Sequence, residues 1–273
     1  TFQYQLTGVT STPSGVSGLP TTVMAGINIT TPFTASATVG AATNVYANAA
    51  GTGGNGIQSG LFNITSAAGG TPDLLSITIT ASGSGDDSAD FSQVAIYRDS
   101  ASGTTGAFDF ANDILIGTAA TAFPADNGAL TFTVQAAQQT FASAETRTYF
   151  VVTKLSGSAN PGNTFQFTVT GMTSSPSGVT GLPTSTMAGL SVVPPFTASA
   201  TAGTALPVYS GATGTGGNGV QAGVFTIANA AGVADLLSIT VTSSGTGDDS
   251  AAYSEVAIYR DGASGTTGSF DFA

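Results

Sequence analysis

The sequence predicts an all-β chain built from antiparallel β-sandwich domains in tandem. Three observations carry that prediction. Apolar residues recur at every second position, not every three or four. Gly- and Ser-rich stretches separate these segments, and no segment shows a helical stripe with caps. The chain also repeats itself: Thr164 to Ala273 is a near copy of Thr1 to Ala111.

The strands follow from the alternation. Leu75, Ile77 and Ile79 alternate with Ser76, Thr78 and Thr80; Leu130, Phe132 and Val134 with Thr131 and Thr133; Phe165, Phe167 and Val169 with Gln166, Thr168 and Thr170. Each reads as a strand with one buried and one wet face. Val94 to Tyr97 and Tyr149 to Val152 are short β-branched and aromatic runs, as central strands require. Ser82 to Ser88, Ser100 to Gly106 and Ser156 to Asn163 are the connecting loops. A sandwich of roughly seven to nine strands per domain follows. Its core is expected to hold Leu75, Ile77, Ile79, Val94 and Ile96, with Leu237, Ile239, Val241, Val256 and Ile258 buried equivalently in the second copy.

The repeat is specific. PFTASAT occurs at Pro32 and at Pro195, GTGGNG at Gly51 and at Gly214, DLLSIT at Asp73 and at Asp235, and VAIYRD at Val94 and at Val256. Its period is that of a domain, far above the ~20–50 residues of a solenoid unit. Proline at Pro32 and at Pro194-Pro195 marks the joints, because it removes ladder donors and stiffens an extended link. The expected organisation is 1–32 as the C-terminal part of one repeat, 33–194 as a complete repeat, and 195–273 as the N-terminal half of the next. Both ends cut through the repeat. A longer native chain is the first expectation and strand exchange within an assembly the second.

Composition excludes several functions. With a net charge of −11 and only Arg98, Arg147, Lys154 and Arg260 as cations, nucleic acid and anionic membrane surfaces are poor partners. No apolar run is long enough to span a membrane. There is no Cys, His or Trp, which removes thiolate and imidazole catalysis, the usual zinc sites and disulfides. A glycosidase needs two facing acids in a cleft, whereas these acids lie on Gly-rich loops with no Trp platform. GTGGNG lacks the following Lys-Ser/Thr and helix of a phosphate loop and reads as a tight bend. An enzyme is not expected.

In order, GSGDDSADFSQVAIYRD, FDFANDILIGTA, ADNGALTFTV and TRTYFVVTKLSGSANPGNTFQFTVT resemble an Ig-like β-sandwich repeat of very large bacterial secreted and surface proteins. The resemblance covers Phe62 to about Val193 and recurs in the second copy. It implies an extracellular, cell-surface, non-catalytic module of adhesins, surface layers and fibres, whose partners are identical copies or neighbouring repeats. It also implies a calcium-type loop of the pattern D-x-N-x-N-G…D…G-D after the Val94 strand.

That loop is the leading site candidate. Asp99 opens it and Asp109 and Asp113 close it; Asp261 and Asp271 recur in the second copy. Three carboxylates on one Gly-rich loop supply hard oxygen ligands for Ca²⁺. Ser, Ala and Thr stand where the family places Asn and Asp, so a plain loop with Asp accepting from backbone N–H groups is the alternative. Asp86 and Asp87, repeated as Asp248 and Asp249, read as an Asx-type turn or a second acidic pair; Asp90 becomes Ala252 and is no obligate ligand. Lys154 reads as a solvated lysine, with an isopeptide crosslink as the alternative. Asn28-Ile29-Thr30 and Asn63-Ile64-Thr65 are glycan acceptor sequences. The expected function is a structural segment of a fibre, sheath, surface layer or stalk; the rival is a calcium-dependent carbohydrate-binding adhesin module.

Overall fold

Strands form where β-branched and aromatic residues alternate with Thr and Ser. The computed structural model describes residues 1–262 apart from 11, 13–16, 18–22, 203, 215–216 and 231–233. Among these the strands are Phe2–Tyr4 (β1), Met24–Ile27 (β2), Phe33–Ala37 (β3), Thr43–Val45 (β4), Ile57–Ser66 (β5), Asp73–Gly83 (β6), Phe91–Arg98 (β7) and Ile114–Leu115 (β8). They continue with Ala129–Thr133 (β9), Thr146–Leu155 (β10), Thr164–Ser175 (β11), Val179–Thr180 (β12), Leu190–Val192 (β13), Phe196–Ala200 (β14) and Phe225–Asn229 (β15). Among the described residues the two α-helices, Ala136–Gln139 (α1) and Asp249–Ala252 (α2), are single turns. The chain is all-β. It divides into two compact units, Thr1–Thr43 with Ala47–Val192, and Asn44–Tyr46 with the chain from Val193 onward.

In the first unit two sheets face each other, as in a sandwich. One runs β12–β3–β5–β10–β7–β8; the other runs β4–β13–β11–β6–β9, which β4 enters through Thr43, whose N–H donates to Gly189 O. Every described ladder is antiparallel except β12–β3, where Val179 lies parallel to Phe33. The core lies between the sheets. Phe62 stacks on Tyr149 with ring centroids 5.3 Å apart, and Phe91 of the first sheet meets Phe165 of the second at 4.7 Å. Phe62, Ile64, Ile77, Ile79, Phe165, Phe167 and Val169 are fully buried.

One core position departs from the expected alternation. Leu74, not Leu75, is fully buried. The β6–β11 register slips there: Thr173 pairs with Ser76, but the next residue, Ser174, pairs with Leu74. This bulge skips Leu75 and turns it out of the core, since one extra residue reverses the faces of a strand.

The outer face of the second sheet carries hydroxyls in place of charges. Thr78 and Thr131 bond at 2.9 Å, Thr80 and Thr170 at 2.7 Å, and Ser76 and Thr173 at 2.6 Å. Cross-strand hydroxyl pairs of this kind satisfy one another on a face that repels no like neighbour.

Loops seal the core ends. Phe141, after α1, is fully buried and meets Phe33 edge-on at 5.0 Å. Arg147 lies over the Phe141 ring at 3.9 Å, pairs with Glu145 at 2.7 Å and donates to the Gln138 and Thr140 carbonyls. Burial pushes the Glu145 carboxyl up, but bonds from Arg147 and the Ala142 N–H outweigh it, so the group lies below its ordinary value.

The second unit repeats local pairings of the first. Phe196 pairs with Asn229 and Ala200 with Phe225 in β14–β15, the register of Phe33 with Ser66 and Ala37 with Phe62 in β3–β5. The expected equivalence of the two cores fails, however. Leu237, Ile239, Val241, Val256 and Ile258 lie outside any strand and are exposed, Leu237 at 91% and Val256 at 73%. In the first copy the matching segments pair with β9, β10 and β11. Among the described residues TRTYFVV occurs once, at Thr146 to Val152, where it pairs with β5 and β7 of the first copy.

Candidate functional site

The Asp99 to Asp113 loop leaves β7 and returns through β8. Its outward aromatic residues explain its course. Tyr97, Phe150, Val152 and Ala95 form a second buried apolar cluster on the face of the first sheet away from the main core, with Phe108, Leu115, Leu61 and Ala119 packed against it. Phe108 lies 4.9 Å from the Tyr97 ring and 6.3 Å from Phe150. Its N–H donates to Gln58 Oε1 at 2.8 Å. The loop therefore covers a strand pair that is apolar on both faces.

The three carboxylates hold the loop in that position. Asp99 Oδ2 accepts from the Gly106 N–H at 2.8 Å. Asp113 accepts from the Ser100 N–H through Oδ1 and from the Asp109 N–H through Oδ2. Asp109 accepts from the Ala111 N–H and from the Asn112 amide. Asp99 Oδ1 is buried without a hydrogen-bond partner. Among the described residues no three acidic side chains come together in a group able to hold a metal ion. Asp261 is exposed and lies outside any strand; Asp271 lies outside the described residues.

The other acidic segment splits into three roles. Asp86 Oδ1 accepts from the Ser88 hydroxyl and N–H, an Asx-type turn whose hydrogen bonds hold its carboxyl pKa below the ordinary range. Asp248 repeats this with Ser250. Asp87 is fully buried; its Oδ2 accepts from the Asn127 N–H, and its Oδ1 has no partner. Burial raises it to about 6, with the neighbouring Asp126, Asp86 and Asp90 adding to the rise. Asp90 Oδ2 joins the Asp86 N–H to the Asn163 amide, tying this turn to the loop before β11. Sequence reasoning set Asp90 aside as a ligand; its contacts are structural, and its replacement by Ala252 removes that tie from the second copy. The Arg147 network was also missed, since none of its partners is marked by a motif.

The remaining candidates resolve simply. GTGGNG is a bend at both places: Gly56 N–H donates to Ala50 O and Gly219 N–H to Thr213 O, both at 2.7 Å. A Cβ on Gly51, at φ +72°, would stand 2.0 Å from Gly56 O. Lys154 is half-buried at the end of β10 and has no ion pair among the described residues. Asn28 is exposed, while Asn63 Oδ1 accepts from Thr148. No protein-family model and no curated protein sequence matches the chain.

Proposed function

We propose that the chain is a non-catalytic structural segment of an extracellular fibre, sheath, surface layer or adhesin stalk, whose Ig-like β-sandwich repeats assemble through contacts between like domains. The observation that carries this reading is the identical strand register at corresponding places of the two copies. The hydroxyl-covered outer sheet face supports it, because such a face packs closely without charge repulsion. Asp86, Asp90, Asp99, Asp109 and Asp113 support it as well, since each accepts backbone N–H bonds that close loops. Electron microscopy of the concentrated protein tests the proposal. Ordered filaments or lattices are expected; a monodisperse monomer at every concentration overturns it.

The rival, a calcium-dependent carbohydrate-binding module, has one observation on its side: the buried, unpartnered Oδ1 of Asp99. Under that reading EDTA lowers Tm by several degrees and Asp109→Ala removes the sensitivity; a loop closed by its own bonds gives no response to EDTA.

A further inference from the structure

One end of the first sandwich is closed by residues 121–128, the loop that leads into β9. Phe123 is its plug. The ring is buried between the sheets, 6.0 Å from Phe91 of one and stacked on Phe167 of the other at 6.1 Å. The loop is pinned where it begins and ends. Ala120 exchanges two backbone bonds with Val94, and Gly128 O accepts from the Ala81 N–H. Between these pins the turn at 86–90 holds it through Asp87. Asp87 O accepts from the Phe123 N–H at 3.3 Å, and Asp87 Oδ2 from the Asn127 N–H at 3.1 Å.

The side chain that makes this tie is poorly provided for as an anion. Asp87 is fully buried, and its Oδ1 has no hydrogen-bond partner. An ionised carboxylate has room for about four hydrogen bonds. Among the described residues the charges that face it are all negative: Asp126 from the loop, and Asp86 and Asp90 from its own turn. The segment 156–163, which bonds to Asp90, the end of β6 and the start of β7 carry no charged side chain. Burial, and then these acids, push the Asp87 carboxyl up to about 6.

We infer that Asp87 is a proton-operated latch on loop 121–128: protonated, it lets the loop seal the core end, and ionised, it drives the loop to open locally and admit water to the carboxylate and to Phe123. Burying a charge with so few bonds is far more costly than burying the neutral acid. Opening gives the anion water and surrenders one ring contact and the two bonds to Asp87. A loop pinned at both ends can do this while the sheets stay folded, since local openings need less free energy than global ones. The closed loop favours the proton. Its closing constant is therefore highest below pH 3.8, falls about tenfold per pH unit up to about pH 6, and is level above it. This end of the sandwich is tight in acid and loose at neutral pH.

Hydrogen exchange of the full chain, read by NMR from pH 4 to 7 and corrected for intrinsic rates, tests the latch. The Phe123 and Asn127 amides are expected to lose protection roughly fiftyfold over that range, through an opening that low urea does not accelerate. Amides inside β6 and β11 are expected to exchange only through the urea-sensitive global transition. Asp87→Asn, which does not ionise, is expected to leave the loop equally protected at every pH. Should that variant not fold, the carboxyl carbon resonance of Asp87 in the unaltered protein decides: a midpoint near 6 is expected, and one near 3.8 overturns the inference. Loop protection that is constant with pH, loop amides that open only with the whole domain, or a pH dependence that survives in Asp87→Asn each overturns it as well.

Discussion

Residues 33–111 and the described part of 196–262 carry nearly the same sequence, yet one is the inside of a sandwich and the other an open surface. Ile77 and Ile79 are fully buried, while Ile239 and Val241 are exposed. The hairpin register, the GTGGNG bend and the Asx turn are reproduced in both. What repeats is everything set by nearby residues, and what differs is everything supplied by β9, β10 and β11. Core burial belongs to the set of strands, because one sheet layer has nothing to bury its apolar face against.

The sharpest way to break this comparison is to remove the same ring from each copy. Phe62→Ala is expected to cost about 3–5 kcal/mol in urea unfolding, since it empties a fully buried site stacked on Tyr149. Phe225→Ala, at a residue 39% exposed, is expected to leave the main transition within about 0.5 kcal/mol. Equal losses would mean that both copies have complete cores.

A smaller contrast separates Asp87 from Asp249. Asp87 is raised from 3.8 to about 6 by burial, so its ionised form is disfavoured in the fold. The penalty is absent below pH 3.8, grows up to about pH 6 and is full above it. Asp87→Asn is therefore expected to stabilise the protein by about 1–3 kcal/mol at pH 7, with the gain fading as pH falls towards 4. Asp249, half-buried, accepts from the Ser243 hydroxyl at 2.7 Å, and Asp249→Asn is expected to change stability by less than about 0.5 kcal/mol at pH 7. Thermal unfolding across pH measures both, and a gain independent of pH would refute the burial argument.

The smallest contrast concerns Asp90 and Ala252. Asp90→Ala leaves the Asp86 N–H and the Asn163 amide without their acceptor and is expected to cost about 1–2 kcal/mol. Restoring the acid with Ala252→Asp should change stability by less than about 0.5 kcal/mol. A comparable gain from Ala252→Asp would show that the second turn is already tied to a neighbouring loop.

Much of this was legible beforehand because β-strand faces obey a period of two. Phe165, Phe167, Val169, Ile77 and Phe132 fall on the inner face as their spacing requires, and the bend at Gly51 follows from its glycines. The tie at Asp90 was not legible, since Asn163 is far away in sequence. For Asp99, Asp109 and Asp113 the sequence left two readings open, a cation loop and a loop held by backbone N–H groups, and all three accept such N–H bonds; a carboxylate in either role presents the same residue at the same spacing.

The sequence by itself determined the all-β class, the repeat, the loops and most of the inward faces, because these depend on alternation and on local turn chemistry. Only the tertiary structure decided that Leu74 replaces Leu75 in the core, that Phe108 covers a second apolar cluster, that Asp87 is buried, and that two near-identical segments end in opposite environments. Each of those outcomes depends on which distant strand lies alongside, and no local pattern records that partner.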